Sequence, residues 1–463
     1  MNKSQCLGIC LLLMLLNFLS PASAETLEEA WEAAAIHNWS LKASQEEVNA
    51  AHEELAATKA ARLPRVSVDG SYKVLDETPA MEVPQEMVDQ AIAKAEDLSV
   101  SLDVPWGLPS IPLPTDIDIP GFQVPNIPMA EKESLSYGAI VEIPVFTSGK
   151  INNGIKASQA MLEAARSDSG TAAQDLRMNV SEAYILILRA QNAVKIAEAY
   201  VDSLMAHAGD AADFYEQGYA AKNDFLASQV ALADGRQSLS KAKNARDLAG
   251  GAYNRLLGRP LDAPVFVEEV RRLPVQDSLD ALTKAAMKNR SELKSIETRV
   301  EALNYSAKMK KAGLLPQVGV SGGYQFTENK YQAHEGIWAA GLGVKWELFD
   351  GGVSLKKAGA DRRKAMALEY MKKDVRSGIA LQVRKAWLDS KEAKERVSVS
   401  EKALDQADEN LRVAQDRYKA GLSTNTEVLD AQTLRAKAMN NHNEAVYDWV
   451  LATYRLGRAT GAL

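Results

Sequence analysis

Leu63-Pro64-Arg65-Val66-Ser67-Val68-Asp69-Gly70-Ser71-Tyr72 returns 252 residues later as Leu315-Pro316-Gln317-Val318-Gly319-Val320-Ser321-Gly322-Gly323-Tyr324. Both blocks alternate. Val66, Val68, Gly70, Tyr72 and Val74 fall on one side, and Arg65, Ser67, Asp69, Ser71 and Lys73 on the other. A period of two marks a β-strand with one apolar and one polar face.

The duplication extends outward from these blocks. Val141-Glu142-Ile143-Pro144-Val145-Phe146 matches Val344-Lys345-Trp346-Glu347-Leu348-Phe349 at an offset of 203 residues. Tyr215-Glu216-Gln217-Gly218 matches Tyr418-Lys419-Ala420-Gly421, and Gly258 matches Gly461, at the same offset. The change from 252 to 203 places an insertion of 49 residues in the first half, between its first two matched blocks. A long internal repeat of this kind is a statement about architecture before any motif is considered.

Each half reads as helix, strand, strand, long helix, tight turn, long helix. The first repeat covers 25–258, with strands at 65–75 and 135–146, an insertion at 77–133 and a helical hairpin at 150–258. The second covers 277–463, with strands at 317–327 and 337–348 and a hairpin at 352–461. Residues 259–276 link them, and Pro260, Pro264 and Pro274 stop helices there.

The return strands alternate too. Leu135, Tyr137, Ala139, Val141, Ile143 and Val145 share one face, as do Trp338, Ala340, Leu342, Val344, Trp346 and Leu348. Strands of about ten residues with aromatics toward their ends fit a membrane barrel. A soluble sandwich with one wet face has the same alternation. Within lipid, however, four strands cannot close, and an open edge leaves unpaired backbone groups. A dimer would give eight strands around a filled interior, and a trimer twelve strands with room for a lumen.

The helices carry a heptad seam. Val194, Ala197, Val201, Leu204, Ala208, Ala211 and Tyr215 are spaced alternately by three and four, as are Leu404, Ala407, Leu411, Ala414 and Tyr418. This is the spacing of coiled-coil packing, and Ala at many seam positions lets helices approach closely. No proline interrupts 150–215 or 352–419, so each stretch predicts a helix on the order of 100 Å. Each turns at Gly218 or Gly421, a residue suited to the left-handed end of a helix.

Composition excludes several classes. The 463 residues are 46% hydrophobic but 6% aromatic, which suits thin, Ala-rich helices. Lys3, the apolar Leu11 to Leu19 and Ala22-Ser23-Ala24 predict a signal peptide over 1–24. Both cysteines, Cys6 and Cys10, lie within it, so the mature chain has no disulfide, and no Cys follows Ala24 to take a lipid. No later apolar run reaches the roughly 20 residues of a membrane helix. A net charge of −7 leaves no basic footprint for nucleic acid. His37, His52, His207, His334 and His442 form no ligand spacing. Thr147-Ser148-Gly149-Lys150 lacks the rest of a phosphate loop, and no Gly-Xaa-Ser-Xaa-Gly elbow occurs. The expectation is no enzyme, no cofactor and no metal.

Together these features resemble the TolC-like outer-membrane efflux protein family. The duplication carries the resemblance, with the Leu-Pro openings and the Phe146-Thr147-Ser148-Gly149 and Phe349-Asp350-Gly351-Gly352 strand exits. Arg417-Tyr418-Lys419-Ala420-Gly421, followed by Glu427-Val428-Leu429-Asp430-Ala431, adds to it. The resemblance covers nearly all of 25–463. It implies an α+β membrane protein: a homotrimeric 12-stranded β-barrel, four strands per chain, set in outer-membrane lipid and continued by an α-helical coiled-coil tunnel in the periplasm. It implies a passive exit duct for tripartite efflux or type I secretion. The partners it implies are a periplasmic adaptor and an inner-membrane pump of RND, ABC or MFS type. The residues alone also accommodate a coiled-coil structural protein without a channel.

By the same resemblance, Glu427 and Asp430 ring the closed periplasmic entrance, and Tyr418 helps hold it shut. Ser423 stands where the family commonly has a basic partner. Asp224 is the first-half equivalent of Glu427, with Lys222 beside it as a substitute partner. The hairpin ends at Gly218 and Gly421 are expected to meet the adaptor. Nine of the 16 prolines fall in 77–133; with the helices on the periplasmic side, this insertion is expected outside the cell, as a lid over the barrel mouth, a cap against the membrane surface or a tolerated surface excursion. A short helix is predicted over 85–98, with Val88, Ala91, Ile92 and Ala95 on one face.

Overall fold

The computed structural model describes residues 24–96, 126–274 and 278–463. The signal segment up to Ser23 and the Pro-rich stretch from 97 to 125 lie outside the described residues. The chain divides into a sheet unit, Ala57–Asn153 with Lys308–Lys356, and a helical unit made of the rest.

In the sheet unit, β1 (Arg65–Val74), β4 (Glu133–Phe146), β5 (Gln317–Thr327) and β6 (Gly336–Lys345) form one antiparallel sheet in the order β1-β4-β5-β6. The two halves therefore meet at β4 and β5, where Tyr137 opposes Phe326. Register keeps faces together. Tyr137 stacks on Phe326 at 4.7 Å, and Tyr324 lies 5.3 Å from Trp338, both on the apolar side. That side is bare in the single chain: Val68 and Trp338 are each 79% exposed. Among the described residues, β1 and β6 each have one unpaired edge.

Two prolines correct the expected strands. Pro144 has no N–H for the ladder, and the register slips between Pro144 and Phe146. Val145 sits in that slip, so it does not continue the Leu135-to-Ile143 row. β6 stops at Lys345, short of the expected 348. Its partner β5 begins at Gln317, and Pro316 before it cannot donate. Trp346 leaves the ladder, and its Nε1 donates to the Leu314 carbonyl at 3.1 Å.

The described part of the insertion belongs to the sheet unit. β2 (Ala80–Met81) pairs with β3 (Ile127–Pro128), and α3 spans Gln85–Glu96. Of the expected apolar face, Val88 is buried and Ala91 is exposed. Asn329 Nδ2 donates to the Met129 carbonyl at 3.0 Å, and Lys330 pairs with Glu131 at 3.0 Å. These bonds tie the short second-half turn to the insertion's return.

The helical unit starts with a broken helix in each half, where one continuous helix was expected. α1 (Leu27–His37) and α2 (Trp39–Ala60) are divided at Asn38; α6 (Leu279–Asn289) and α7 (Ser291–Ala312) are divided at Arg290. The cause is the same in both repeats. Asn38 Nδ2 donates to the Leu256 carbonyl at 3.0 Å, and Arg290 Nη1 donates to the equivalent Ala459 carbonyl at 3.4 Å. A polar side chain turned toward the end of a distant helix satisfies its last carbonyls. The chain passes so close there that a Cβ on Gly258 or Gly461 would meet His37 or Asn289 at 3.1 and 3.0 Å.

α4 (Lys150–Glu216) and α8 (Val353–Lys419) each hold 67 residues, on the order of 100 Å of helix. α5 (Lys222–Leu256) and α9 (Asn425–Thr460) return beside them. The largest core gathers α1, the middle of α4 and the ends of α5 and α9, with Tyr184 and Tyr253 fully buried. The linker packs here. Glu25 N donates to Phe266 at 2.8 Å, and Arg259 grips the Glu25 carboxylate through two nitrogens at 2.6 and 2.9 Å. Along the seams Val194, Leu204, Ala208, Ala211, Ala407, Leu411 and Tyr418 are buried. Tyr215, at the end of the first seam, is exposed.

Candidate gate at the helix tips

Both hairpins turn with one geometry. Gly218 and Gly421 have φ of 78° and 73°, where a side chain would be strained. Tyr219 N donates to Phe214 O at 2.7 Å and Gly218 N to Tyr215 O at 3.0 Å. Leu422 N to Arg417 O and Gly421 N to Tyr418 O repeat the pattern at 2.8 and 3.0 Å. These paired bonds satisfy the last carbonyls of each long helix, the Schellman arrangement.

The restart differs between the halves. Thr424 caps α9, its Oγ1 accepting from Glu427 N at 3.3 Å. The equivalent residue in the first half, Ala221, has no such side chain. Glu427 is exposed on the first turn and accepts from Ser423 Oγ at 2.8 Å. Ser423, then Thr424, hold its carboxyl below the ordinary carboxylate value, with Arg417 adding a weaker pull from 4.0 Å. Ser423 therefore supplies a hydrogen bond to Glu427, and Arg417 the nearby positive charge. Lys222, offered from sequence as a substitute, is exposed on α5. Asp430 is exposed one turn after Glu427.

Tyr418 points inward. Its ring lies 5.4 Å from Phe214 and 5.1 Å from His207, and with Leu411, Val428 and Ala431 it forms a small core. Its hydroxyl is buried with no partner. Asp224 contributes its backbone: its carbonyl accepts from Asn425 Nδ2 at 3.0 Å. Asn425 Oδ1 in turn lies 2.7 Å from His207 Nε2. Sequence reasoning missed both His207 and Asn425. The available signal was position: His207 adjoins the seam residue Ala208, and Asn425 follows a capping Thr.

The arrangement can hold or release a helix end and can concentrate negative charge at its rim. Among the described residues no group of acids, His or Cys could hold a metal. A sequence profile described as "Outer membrane efflux protein" matches residues 31–259 and again 282–462, one match per repeat. The chain belongs to the outer membrane efflux protein family. AprF of Pseudomonas aeruginosa, an alkaline protease secretion protein, is 26% identical over 317 residues, covering 66% of this chain and 65% of AprF. The chain thus spans just under two thirds of that relative. The outer membrane protein TolC of Vibrio cholerae is 25% identical over 329 residues, covering 65% of this chain and 71% of TolC. Among solved structures, the outer-membrane channel OprN superposes with a TM-score of 0.71 at 18% identity, covering 94% and 90% of the two chains. The outer membrane protein VceC of Vibrio cholerae gives 0.72 at 15%, covering 94% and 96%. These two likenesses establish the fold alone.

Proposed function

We propose that three copies of this chain form the outer-membrane exit duct of an export system, carrying substrates passively from the periplasm to the exterior. The observation that carries this reading is the sheet. It has four strands, two unpaired edges and an apolar row open to its surroundings. Pairing β6 of one copy with β1 of the next, three times, gives a closed twelve-stranded barrel with no edge in lipid. Its polar face is lined by small residues such as Gly319, Gly323, Gly341 and Gly343, which leaves room for water. The helical unit then lies in the periplasm.

The energy comes from an inner-membrane pump, linked by an adaptor that meets the tips at Gly218 and Gly421. Glu427 and Asp430, brought together by threefold symmetry, make an acidic ring that admits cations. Asp224 and Tyr418 brace it from within. The names of the relatives support protein secretion and a channel role alike. The insertion at 77–133 acts as a lid over the outer mouth. Deleting 80–130 is expected to raise passive permeability to large solutes; unchanged uptake would remove the lid from the reading.

The test of the duct is direct. The full chain, purified in detergent, is expected to run as a trimer and to give stepwise conductance in a planar bilayer. A monomer soluble without detergent and silent in the bilayer would overturn the duct.

A further inference from the structure

His207 is buried, 3% exposed, where four helices meet: its own α4, with α5, α8 and α9. The polar contacts around it fix its protonation. Asn425 Nδ2 donates to the Asp224 carbonyl at 3.0 Å. A backbone carbonyl only accepts, so the amide is oriented and Oδ1 faces the imidazole. Nε2 of His207, 2.7 Å away, must therefore carry the hydrogen. A second proton would go onto Nδ1, and the resulting cation would be enclosed beside the Tyr418 ring. The neutral bond links the first-half long helix to the second-half return helix, and through Asp224 to the first-half return helix.

Resting on the duct reading above, we propose that His207 is an acid-sensitive latch of the periplasmic entrance: neutral, it stays buried and ties the two hairpins together at the tip, and protonated on Nδ1, it keeps the Asn425 bond but draws water to its enclosed charge, which favours the open tip.

The charged groups around the latch are few. Asp210 lies on the same helix and pairs with Lys419 of α8 at 3.9 Å. Asp224 is on α5, with its carbonyl rather than its carboxylate bonded into the chain. Glu427 and Asp430 of α9 are exposed at the rim. Tyr418 of α8 contributes a neutral ring. Burial is the largest influence on His207 and pushes it below 6.5, against the opposing pull of Asn425 and Asp210. An opened tip hydrates the imidazole and relieves that downward pressure. As pH falls through the histidine range, the open tip takes up a proton that the closed tip refuses, so acid favours opening. Glu427, held below the ordinary carboxylate value, acts at lower pH and with the opposite sign, because protonating it removes repulsion that resists closure. The two effects separate on the pH axis.

The experiment compares the full-length trimer in planar bilayers at about pH 7.5 and about pH 5.5, on either side of the histidine range. Wild type is expected to open more at the lower pH, by at most about tenfold per subunit for each pH unit over which only the open tip binds the proton. His207→Gln keeps an N–H toward Asn425 and does not titrate, so it is expected to conduct without the acid rise. Asn425→Leu removes the acceptor and is expected to stay open at both values. A wild type that conducts without an acid rise, or an acid rise retained in His207→Gln, overturns the latch and leaves the duct intact. If His207→Gln does not assemble, Asn425→Leu decides, and wild-type gating there overturns the latch. A wild-type trimer that never conducts refutes the duct instead.

Discussion

Replacing Gly323 with alanine puts a methyl group into the centre of the sheet at the seam between the two repeats. An ideal Cβ there lies 2.3 Å from the Ala139 carbonyl oxygen, 3.0 Å from Ile140 Cα and 3.2 Å from Ala139 C. All three are backbone atoms of β4, so no side chain can swing away. Ordinary carbon–oxygen contact needs roughly 1 Å more, and β4 and β5 must part by that amount to regain it. The ladder bonds beside Gly323 then stretch. Overpacking of this kind costs about 1–3 kcal/mol, and each weakened backbone bond adds about 0.5–1.5 kcal/mol. A loss of about 2–4 kcal/mol per subunit follows, and it recurs three times around a barrel. The assay is the temperature at which the detergent-solubilised trimer dissociates on a gel. Gly341→Ala is the control: nothing lies within 4 Å of its Cβ, so its trimer is expected to match wild type. A Gly323→Ala trimer as heat-resistant as the Gly341→Ala trimer would refute the reasoning.

Asn38→Ala removes the bond to the Leu256 carbonyl and the acceptor for the Ser40 and Leu41 N–H groups. The loss is expected to be about 1–2 kcal/mol, read as a lower melting temperature by circular dichroism. At the tips, Thr424→Ala should cost about 1 kcal/mol, whereas Ala221→Ser should stabilise, because it adds the cap that the first repeat lacks. Local hydrogen exchange in the two tips would read both. Glu427→Gln with Asp430→Asn is expected to lower the cation-to-anion permeability ratio of the bilayer channel. Glu427 is held below 4.5, so its charge and its cap persist above that value and are lost as pH falls through the lowered one. Ser423→Ala moves that loss to higher pH, visible as an earlier fall in cation selectivity.

Most of the sheet was legible in the residues because alternation is a local property. That Val66, Val68 and Tyr72, and likewise their repeat partners Val318, Val320 and Tyr324, share one face needed no tertiary information. The strand ends were less legible. Pro144 breaks the register and Pro316 shortens β6 through donors they lack in pairing, and pairing belongs to two strands at once. The breaks at Asn38 and Arg290 were hidden for a similar reason. Asn38 also caps the helix that follows it, but at both breaks the side chain is held by a carbonyl more than 160 residues away. At the tip, Gly218, Gly421, Glu427 and Asp430 were readable from turn chemistry and the duplicated motif. His207 was passed over as one of five scattered histidines.

The sequence by itself determined the duplication, the two-faced strands, the seams and the glycine turns. Each depends on residues within a few positions of one another, where backbone geometry and hydrophobic period act directly. Only the tertiary structure decided that the halves join through β4 and β5, and that His207 meets Asn425 across 218 residues of chain. Those contacts are set by how long helices and strands from different repeats pack side by side. A buried polar bond forms there because neither group retains water to bond instead.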